Sequence, residues 1–442
     1  MKASTALGLA AASALVLAAC ATPAPAPPPA ASAYGPGWSA AHADAANTDY
    51  LAVPGARDLE LAWSRRFEGG SINLGATTDA GGRVYVTTTA PGCHLYVLDQ
   101  KTGETIWCSD AVNRSAVSSS ALLDREGRIY LSDNEAMVAF DGDGKALWRT
   151  PIAGFTLSAQ FTPQGHLIFV THIGRIYVLR RDTGEAVLPP VELIPGATYD
   201  PKSPDQPVRA CMRGTEDCPA ANTIAVDERT GRFFFTFWDM GAKQAGLRAM
   251  RYAEDPVPRI TALWTNDALP GGSGSSPDLT ADGRRLYVND NVDSVHAIDA
   301  ATGRSIWRFP IGWASGGSPS TSPEGIIIPT GGGPLLAIAD RGDHAELLWR
   351  DDARDNRSIA AQAAGGLAYP AVARARGEND LTVVDVLTGA ELDRVPLPGR
   401  TLFTVGTTFG LDGSVYVATI LGQVFALRPT SPAAGDGGRS PR

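Results

Sequence analysis

Short runs of alternating apolar and polar residues recur along this chain, each bounded by glycine-containing turns. In "RVYVT" (83–87), Val84 and Val86 fall on one face and Tyr85 on the other, and in "HLYVLD" (94–99) Leu95, Val97 and Asp99 share a face. The unit recurs in "GRIYLSDNEAMVAFDGDGKALWR" (127–149), "GHLIFVTHIGRIYVLRRDTGEAVL" (165–188), "GRRLYVNDNVDSVHAIDAATGRSIWRF" (283–309) and "GSVYVATILGQVFALRP" (413–429). A closing hydrophobe falls at Trp63, Trp107, Trp148, Leu188, Trp264, Trp307, Trp349 and Leu392, at spacings of 44, 41, 40, 76, 43, 42 and 43 residues. A period near forty with several strands per unit predicts an all-β fold, a β-propeller of four-stranded antiparallel blades.

Inner strands start near 71, 115, 155, 220, 273, 316, 365 and 401, which gives eight blades. The last unit lacks a closing tryptophan strand, whereas "LELAWSRRF" (59–67) stands unmatched at the other end. This N-terminal strand is expected to complete the last blade and leave the ring without an open edge. The one doubled spacing holds an insertion, "PGATYDPKSPDQPVRACMRGTEDCPAAN" (195–222), whose prolines and polar residues suit a surface excursion. The seventh blade carries the weakest pattern, with Leu392 in place of tryptophan.

These repeats resemble the pyrroloquinoline-quinone-like propeller repeat. The resemblance rests on Tyr96-Val97-Leu98-Asp99, Thr102-Gly103 and Trp107, and again on Val295-His296-Ala297-Ile298-Asp299, Thr302-Gly303 and Trp307. It covers roughly 59 to 429. Two branches of that family imply different functions. Quinoprotein dehydrogenases imply a quinone, a calcium ion, a vicinal cysteine pair and a catalytic aspartate. No Cys-Cys and no C-x-x-C-H haem motif occurs in this chain, and no quinone site can be mapped onto it residue by residue. The lipoprotein branch, an eight-bladed scaffold of outer-membrane protein assembly, implies a non-catalytic role. The segment "HADAANTDY" (42–50) and the insertion match no feature of that branch.

The N-terminus supports export. Lys2 and the apolar "ALGLAAASALVLAA" end in Leu17-Ala18-Ala19-Cys20, the pattern of a lipoprotein signal peptide (1–19) with Cys20 as the acylated residue. Ala21 rather than aspartate after it suits outer-membrane sorting. Residues 20–37 then read as the lipidated cysteine and a Pro/Ala linker in extended conformation, 38–430 as the propeller and 431–442 as a disordered tail. The expected location is therefore a membrane surface outside the cytoplasm, the periplasmic face of an outer membrane or the cell surface. The net charge of −9 and the absence of a Lys/Arg block argue against a nucleic-acid partner.

Four cysteines remain after Cys20. Cys93 and Cys108 face each other across the hairpin at "DQKTGE" (99–104), and Cys211 and Cys218 close a small loop in the insertion. Neither spacing suits redox catalysis or zinc, so two structural disulfides are expected. Asp99, Asp141, Asp299 and Asp385 are expected to bond backbone amides in their turns. The segments leading into the blades are small and polar, as crowding at a propeller axis demands. Ser118, Gln160, Asn222, Ser275, Ser318 and Gln362 could also point into the axial funnel and bind a polar ligand.

His166 and His172 flank one strand but lack a visible third ligand, and no metal site is expected; His94 and His296 read as packed or hydrogen-bonded. "RFFFTFWDM" (232–240) reads as a buried strand, with an exposed aromatic docking patch as the alternative. No nucleophile elbow or phosphate loop occurs, so no catalytic residue is assigned. The expected function is a lipid-anchored envelope scaffold that binds a protein or peptide without a cofactor. The alternative is a quinone- or metal-dependent oxidoreductase using the funnel, with pyrroloquinoline quinone (PQQ) and calcium.

Overall fold

The computed structural model describes residues 32–202, 220–239, 241–375 and 377–431. Cys20, the signal segment, Cys211, Cys218 and the tail from 432 lie outside the described residues. Eight antiparallel sheets follow one another around an axis, confirming the eight-bladed propeller. The first consists of Thr77–Thr78, Arg83–Thr87, Leu95–Asp99 and Thr105–Ser109. Strands in the middle of a blade are buried on both faces because a neighbouring blade packs on each side; all five residues of Ala136–Phe140 are buried. Outer strands such as Ala146–Pro151 alternate between half-buried and exposed positions.

The ring closes as the pattern predicts. Leu59–Arg66 pairs antiparallel with Gln423–Pro429, from Leu59 opposite Pro429 to Arg66 opposite Gln423. The seventh blade is irregular for a visible reason. Its second strand is interrupted at Pro370, which has no N–H to donate, and continues as Leu367–Tyr369 and Ala371–Ala373, both paired with Asn379–Asp385. It also gains a strand that the repeat does not announce: Tyr50–Pro54 pairs parallel with the inner strand Ala361–Ala364.

The Thr-Gly turn and the tryptophan of the repeat meet between blades. Each tryptophan closing one blade lies over the turn of the next. Its indole N–H donates to an oxygen there: Trp63 to the Gln100 carbonyl (2.9 Å), Trp107 to Gly142 (3.0 Å), Trp148 to Arg181 (2.9 Å), Trp264 to Ala300 (3.2 Å) and Trp349 to Val386 (2.8 Å). Trp307 donates instead to the Asp340 carboxylate, at 3.0 Å. In five of these contacts the ring faces a turn glycine of positive φ, and a Cβ there would stand only 2.5–2.7 Å from ring carbons. The forty-residue period is thus the distance from one blade's turn to the next. Trp63, docked on Gly103, carries the same contact across the ring closure. Within the turns, Asp99, Asp299 and Asp385 each accept two backbone N–H groups and a threonine hydroxyl through Oδ1; Asp141 accepts two N–H groups.

Cys93 and Cys108 form a disulfide with their Cα atoms 5.8 Å apart. It staples one hairpin of the first blade and closes a segment with a sequence separation of 15. The joint Cys93→Ala, Cys108→Ala variant should therefore lose about 3 kcal/mol of unfolding free energy, the chain entropy released by opening a loop of that length. Urea denaturation in the absence of reductant checks this; an unchanged midpoint would show that the bond does not limit unfolding.

The aromatic strand is interior. Phe233, Phe234, Phe235 and Phe237 are each at most 1 % exposed, so the buried-strand reading holds and the docking-patch alternative fails. The described start of the insertion folds back over its own face of the disc. There the Tyr199 hydroxyl accepts a hydrogen bond from the Asn134 side-chain amide (3.0 Å), and its ring meets His172 edge-on.

Candidate functional site

The axis is occupied, and its occupant comes from upstream of the first propeller strand. The extended linker was expected to run to 37, but the chain is already packed at Ser32. The Ser32 hydroxyl donates to Glu228 (2.9 Å), and Tyr34 bridges to Asp124. From there to Tyr50 the chain forms a strap across the inner strands near their turn ends. Strap carbonyls receive backbone N–H groups from successive blades: Trp38 from Thr78 and Ser39 from Leu123 (both 2.9 Å), Ala45 from Val226 (2.6 Å), Ala46 from Leu279 (2.8 Å), and Thr48 from Thr321 and Asp49 from Gln362 (both 2.9 Å). Alanines suit the narrow axis; Ala40, Ala43 and Ala45 are all buried. Tight threading also puts Ala43, Asn47 and Asp49 at positive φ (71°, 63° and 49°), which side chains other than glycine adopt at a cost.

The strap closes one side of the axis, and a funnel of about 420 Å³ remains on the other. Its wall mixes apolar groups, such as Leu74, Leu157, Ile359 and Phe403, with small polar ones and glycines, and His42 of the strap is part of its lining. Asn73 also lines a neighbouring groove of about 920 Å³, which runs past Asn113, Arg114, Ser115 and Asn134 to Pro201 at the foot of the insertion. Funnel and groove thus form one concave surface on the insertion side of the disc.

Most polar groups near the axis are already hydrogen-bonded. The Thr223, Thr330 and Thr404 hydroxyls donate to the carbonyls of Leu157, Ser318 and Arg357. The Ser318 hydroxyl accepts the Ser276 N–H at 3.1 Å. His42 is different. Its Nδ1 lies 2.8 Å from Asp49 Oδ2, the pair is almost fully buried, and Nε2 has no partner among the described residues. Burial alone would pull the imidazole down, but the Asp49 charge and hydrogen bond outweigh it and hold His42 above the ordinary histidine value. Behind the pair, burial pushes Asp44 up to about 6, against the hydrogen bonds it accepts from Thr48 and Ala46. Burial, followed by the Asp49 charge, holds Asp278 well above the usual carboxylate range.

The six candidate funnel residues divide into three pairs. Asn222 and Ser318 line the funnel as expected. Gln160 and Gln362 are buried under the strap. Gln160 accepts the Tyr34 hydroxyl (2.6 Å) and donates to the Asp44 carbonyl and to Asn47 Oδ1 (3.2 and 3.0 Å); Gln362 donates to Ser320 and to the Ile326 carbonyl. Ser118 and Ser275 are buried inside their blades, off the funnel wall. Ser118 ends the short 3-10 helix Arg114–Ser118, and Ser275 sits in a bend before the inner strand, where its neighbour Ser276 reaches the funnel instead. His42 and Asn73 escaped sequence reading because neither lies in a repeat strand. The signal for His42 was that "HADAANTDY" (42–50) matched no feature of the lipoprotein branch.

The remaining histidines have separate local partners. The His166 ring lies 3.3 Å from Glu254, His94 Nδ1 lies 3.1 Å from the Thr88 carbonyl and His296 pairs with Asp290 at 2.8 Å. His172 stacks on Phe155, and burial lowers it to about 4. Among the described residues, no group of three or more His, Cys, Asp or Glu side chains is placed to hold a metal ion.

Comparison with known proteins places this architecture. The family model described as outer membrane protein assembly factor BamB matches residues 47–188 and 220–426. Protein Rv3035 of Mycobacterium tuberculosis is 32 % identical over 402 residues, covering 89 % of this chain and 96 % of its own length. Among solved structures, quinohemoprotein alcohol dehydrogenase from Comamonas testosteroni superposes with a TM-score of 0.61 at 15 % identity, covering 92 % of this chain and 82 % of that one. BamB from Moraxella catarrhalis superposes with a TM-score of 0.53 at 16 % identity, covering 84 % and 99 %. These two likenesses concern the fold.

The quinone that such dehydrogenases use is a polycarboxylate held beside a calcium ion, and it calls for cationic side chains and a set of oxygen ligands. Among the described residues no Arg, Lys, Asp or Glu lines the funnel, and the ionisable group in its lining is His42. The residues present do not fit that cofactor. By the family match across most of its length, the chain belongs to the family of outer membrane protein assembly factor BamB.

Proposed function

We propose that this protein is a lipid-anchored scaffold of the cell envelope that binds a protein or peptide on the insertion side of its disc. The observation that carries this reading is the strap. It closes the axis on the side where the chain enters the propeller and leaves a weakly charged funnel and groove on the opposite side. Ser32 lies against Glu228 and Arg125, in turns on the strap side. An acylated Cys20 would tether the disc to a membrane through the chain that precedes Ser32. The family match supports a role in outer-membrane protein assembly.

Affinity capture tests this. Protein bearing its anchor should recover a specific partner from detergent-solubilised envelope, and Arg114→Glu with Ile420→Arg in the groove should abolish that recovery without changing the melting temperature. Stoichiometric quinone binding by calorimetry together with dye-linked turnover would overturn the scaffold reading.

A further inference from the structure

We infer that the funnel is a receptor for a carboxylate borne on an apolar body, and that its occupant is the free C-terminus of a partner polypeptide. This rests on the scaffold reading and names the partner's chemistry. Three polar groups facing the funnel are without a partner among the described residues: His42 Nε2, the Ser276 hydroxyl and the Asn73 side-chain amide. All three can donate a hydrogen bond, and among the described residues no carboxylate lines the funnel to compete for them. The surrounding wall is apolar at Leu74, Leu157, Ile359, Phe403 and Val405, which suits an aliphatic or aromatic terminal side chain.

His42 is built in rather than incidental. It is 8 % exposed, Asp49 fixes its ring through Nδ1, and the strap that carries both is bonded to successive blades. With Nδ1–H engaged by Asp49, protonation leaves Nε2–H directed to the funnel as a charge-assisted donor. The occupant is a chain rather than a free acid because the funnel is continuous, at Asn73, with the 920 Å³ groove. A polypeptide ending in the funnel has a path across the disc for the residues before its end.

The charges around His42 set the pH response. Asp49 and Asp44 lie on the strap, and Asp278 comes from the inner strand of the fifth blade. As pH rises, His42 loses its proton and Asp44 gains a negative charge; both changes oppose a carboxylate.

The test uses the mature chain and two peptides, acetyl-Gly-Ser-Gly-Ala-Leu-Phe with a free carboxyl and the same sequence as its amide, with octanoate as a small-acid probe. Calorimetry should find the acid peptide bound at least about tenfold more tightly than the amide, the loss expected for one charge-assisted hydrogen bond. Its affinity should fall by up to about tenfold per pH unit once pH exceeds the His42 pKa. His42→Gln should abolish the acid-over-amide preference. Asp49→Asn keeps the imidazole and should shift the pH midpoint of binding downward, which a merely structural role for His42 would not do.

Equal binding of acid and amide by the wild type, or binding of neither, would overturn the inference without recourse to a variant. Binding of octanoate but not of the acid peptide would overturn the polypeptide occupant. Envelope capture by His42→Gln separates this inference from the reading beneath it. The same partner recovered as by wild type, with no acid preference, sinks the inference and leaves the scaffold standing; no partner recovered by wild type sinks the scaffold.

Discussion

Replacing Trp38 by alanine should cost about 3–5 kcal/mol of unfolding free energy, the range for truncating a buried aromatic side chain to a cavity. Trp38 lies 21 residues upstream of the first strand of the ring closure, Leu59–Arg66, yet it is fully buried. Its ring packs against Phe409 of the last blade and, in the same apolar cluster, Tyr369 and Ala361 of the seventh. Its backbone is bonded at both ends to Thr78 of the first blade, through the carbonyl (2.9 Å) and the N–H (3.2 Å). The Thr78 hydroxyl in turn donates to the Phe409 carbonyl at 2.6 Å. One residue therefore joins three blades at the seam where the ring closes, its ring holding the last two and its backbone the first. Trp38→Phe keeps an aromatic ring and removes an indole N–H that has no hydrogen-bond partner, so its loss should be much smaller. Urea unfolding followed by circular dichroism checks both variants. If alanine and phenylalanine behaved alike, the strap would not be holding the seam.

Gly303→Ala should cost about 2–5 kcal/mol for two reasons that add. Its φ of +73° is strained for any residue with a Cβ, at roughly 1–2 kcal/mol. The added methyl would also stand 2.5 Å from Trp264 Cε3, an overpacking worth about 1–3 kcal/mol. The same change at Gly127, whose φ is +81° but whose added Cβ would meet nothing within 4 Å, should cost only the backbone share. The difference between the two variants measures the contact between the fourth and fifth blades. Equal losses would show that the tryptophan shifts aside freely and does not couple the blades.

These two sites differ in how much of them the chain announces. Gly303 and Trp264 belong to a pattern that repeats, and repetition made both visible. The strong signal arises because every blade must make the same contact with its neighbour. Leu392 marked the seventh blade as irregular, and the structure adds Pro370, which interrupts a strand. Trp38 and His42 occur once, in a stretch with no period, where an element exists only because a ring of blades surrounds it. The strap bonds to itself locally, as between His42 and Asp49 and between Thr48 and Asp44, but the bonds that place it in the ring go to residues up to 313 positions away, as between Asp49 and Gln362. No local pattern can encode such partners.

The candidate site shows the same division at finer scale. That small polar residues would line the axis followed from crowding alone, but which of them face the funnel depended on the local turn each segment makes and on what else occupied the axis. Gln160 and Gln362 are axial as expected, yet they hold the strap instead of a ligand. The single ionisable group among the described residues of the funnel came from outside the propeller repeat.

By itself the sequence determined the eight-bladed plan, the closure by Leu59–Arg66, the turn aspartates and the Cys93–Cys108 pairing, because each is set by local spacing and by contacts that every repeat must make. Tertiary structure alone decided that the axis is sealed on one side, that His42 and Asp49 meet beneath a funnel, and that the funnel joins a groove beside the insertion. Those features depend on how one aperiodic segment crosses the blades, and that path is fixed only when all eight blades are in place.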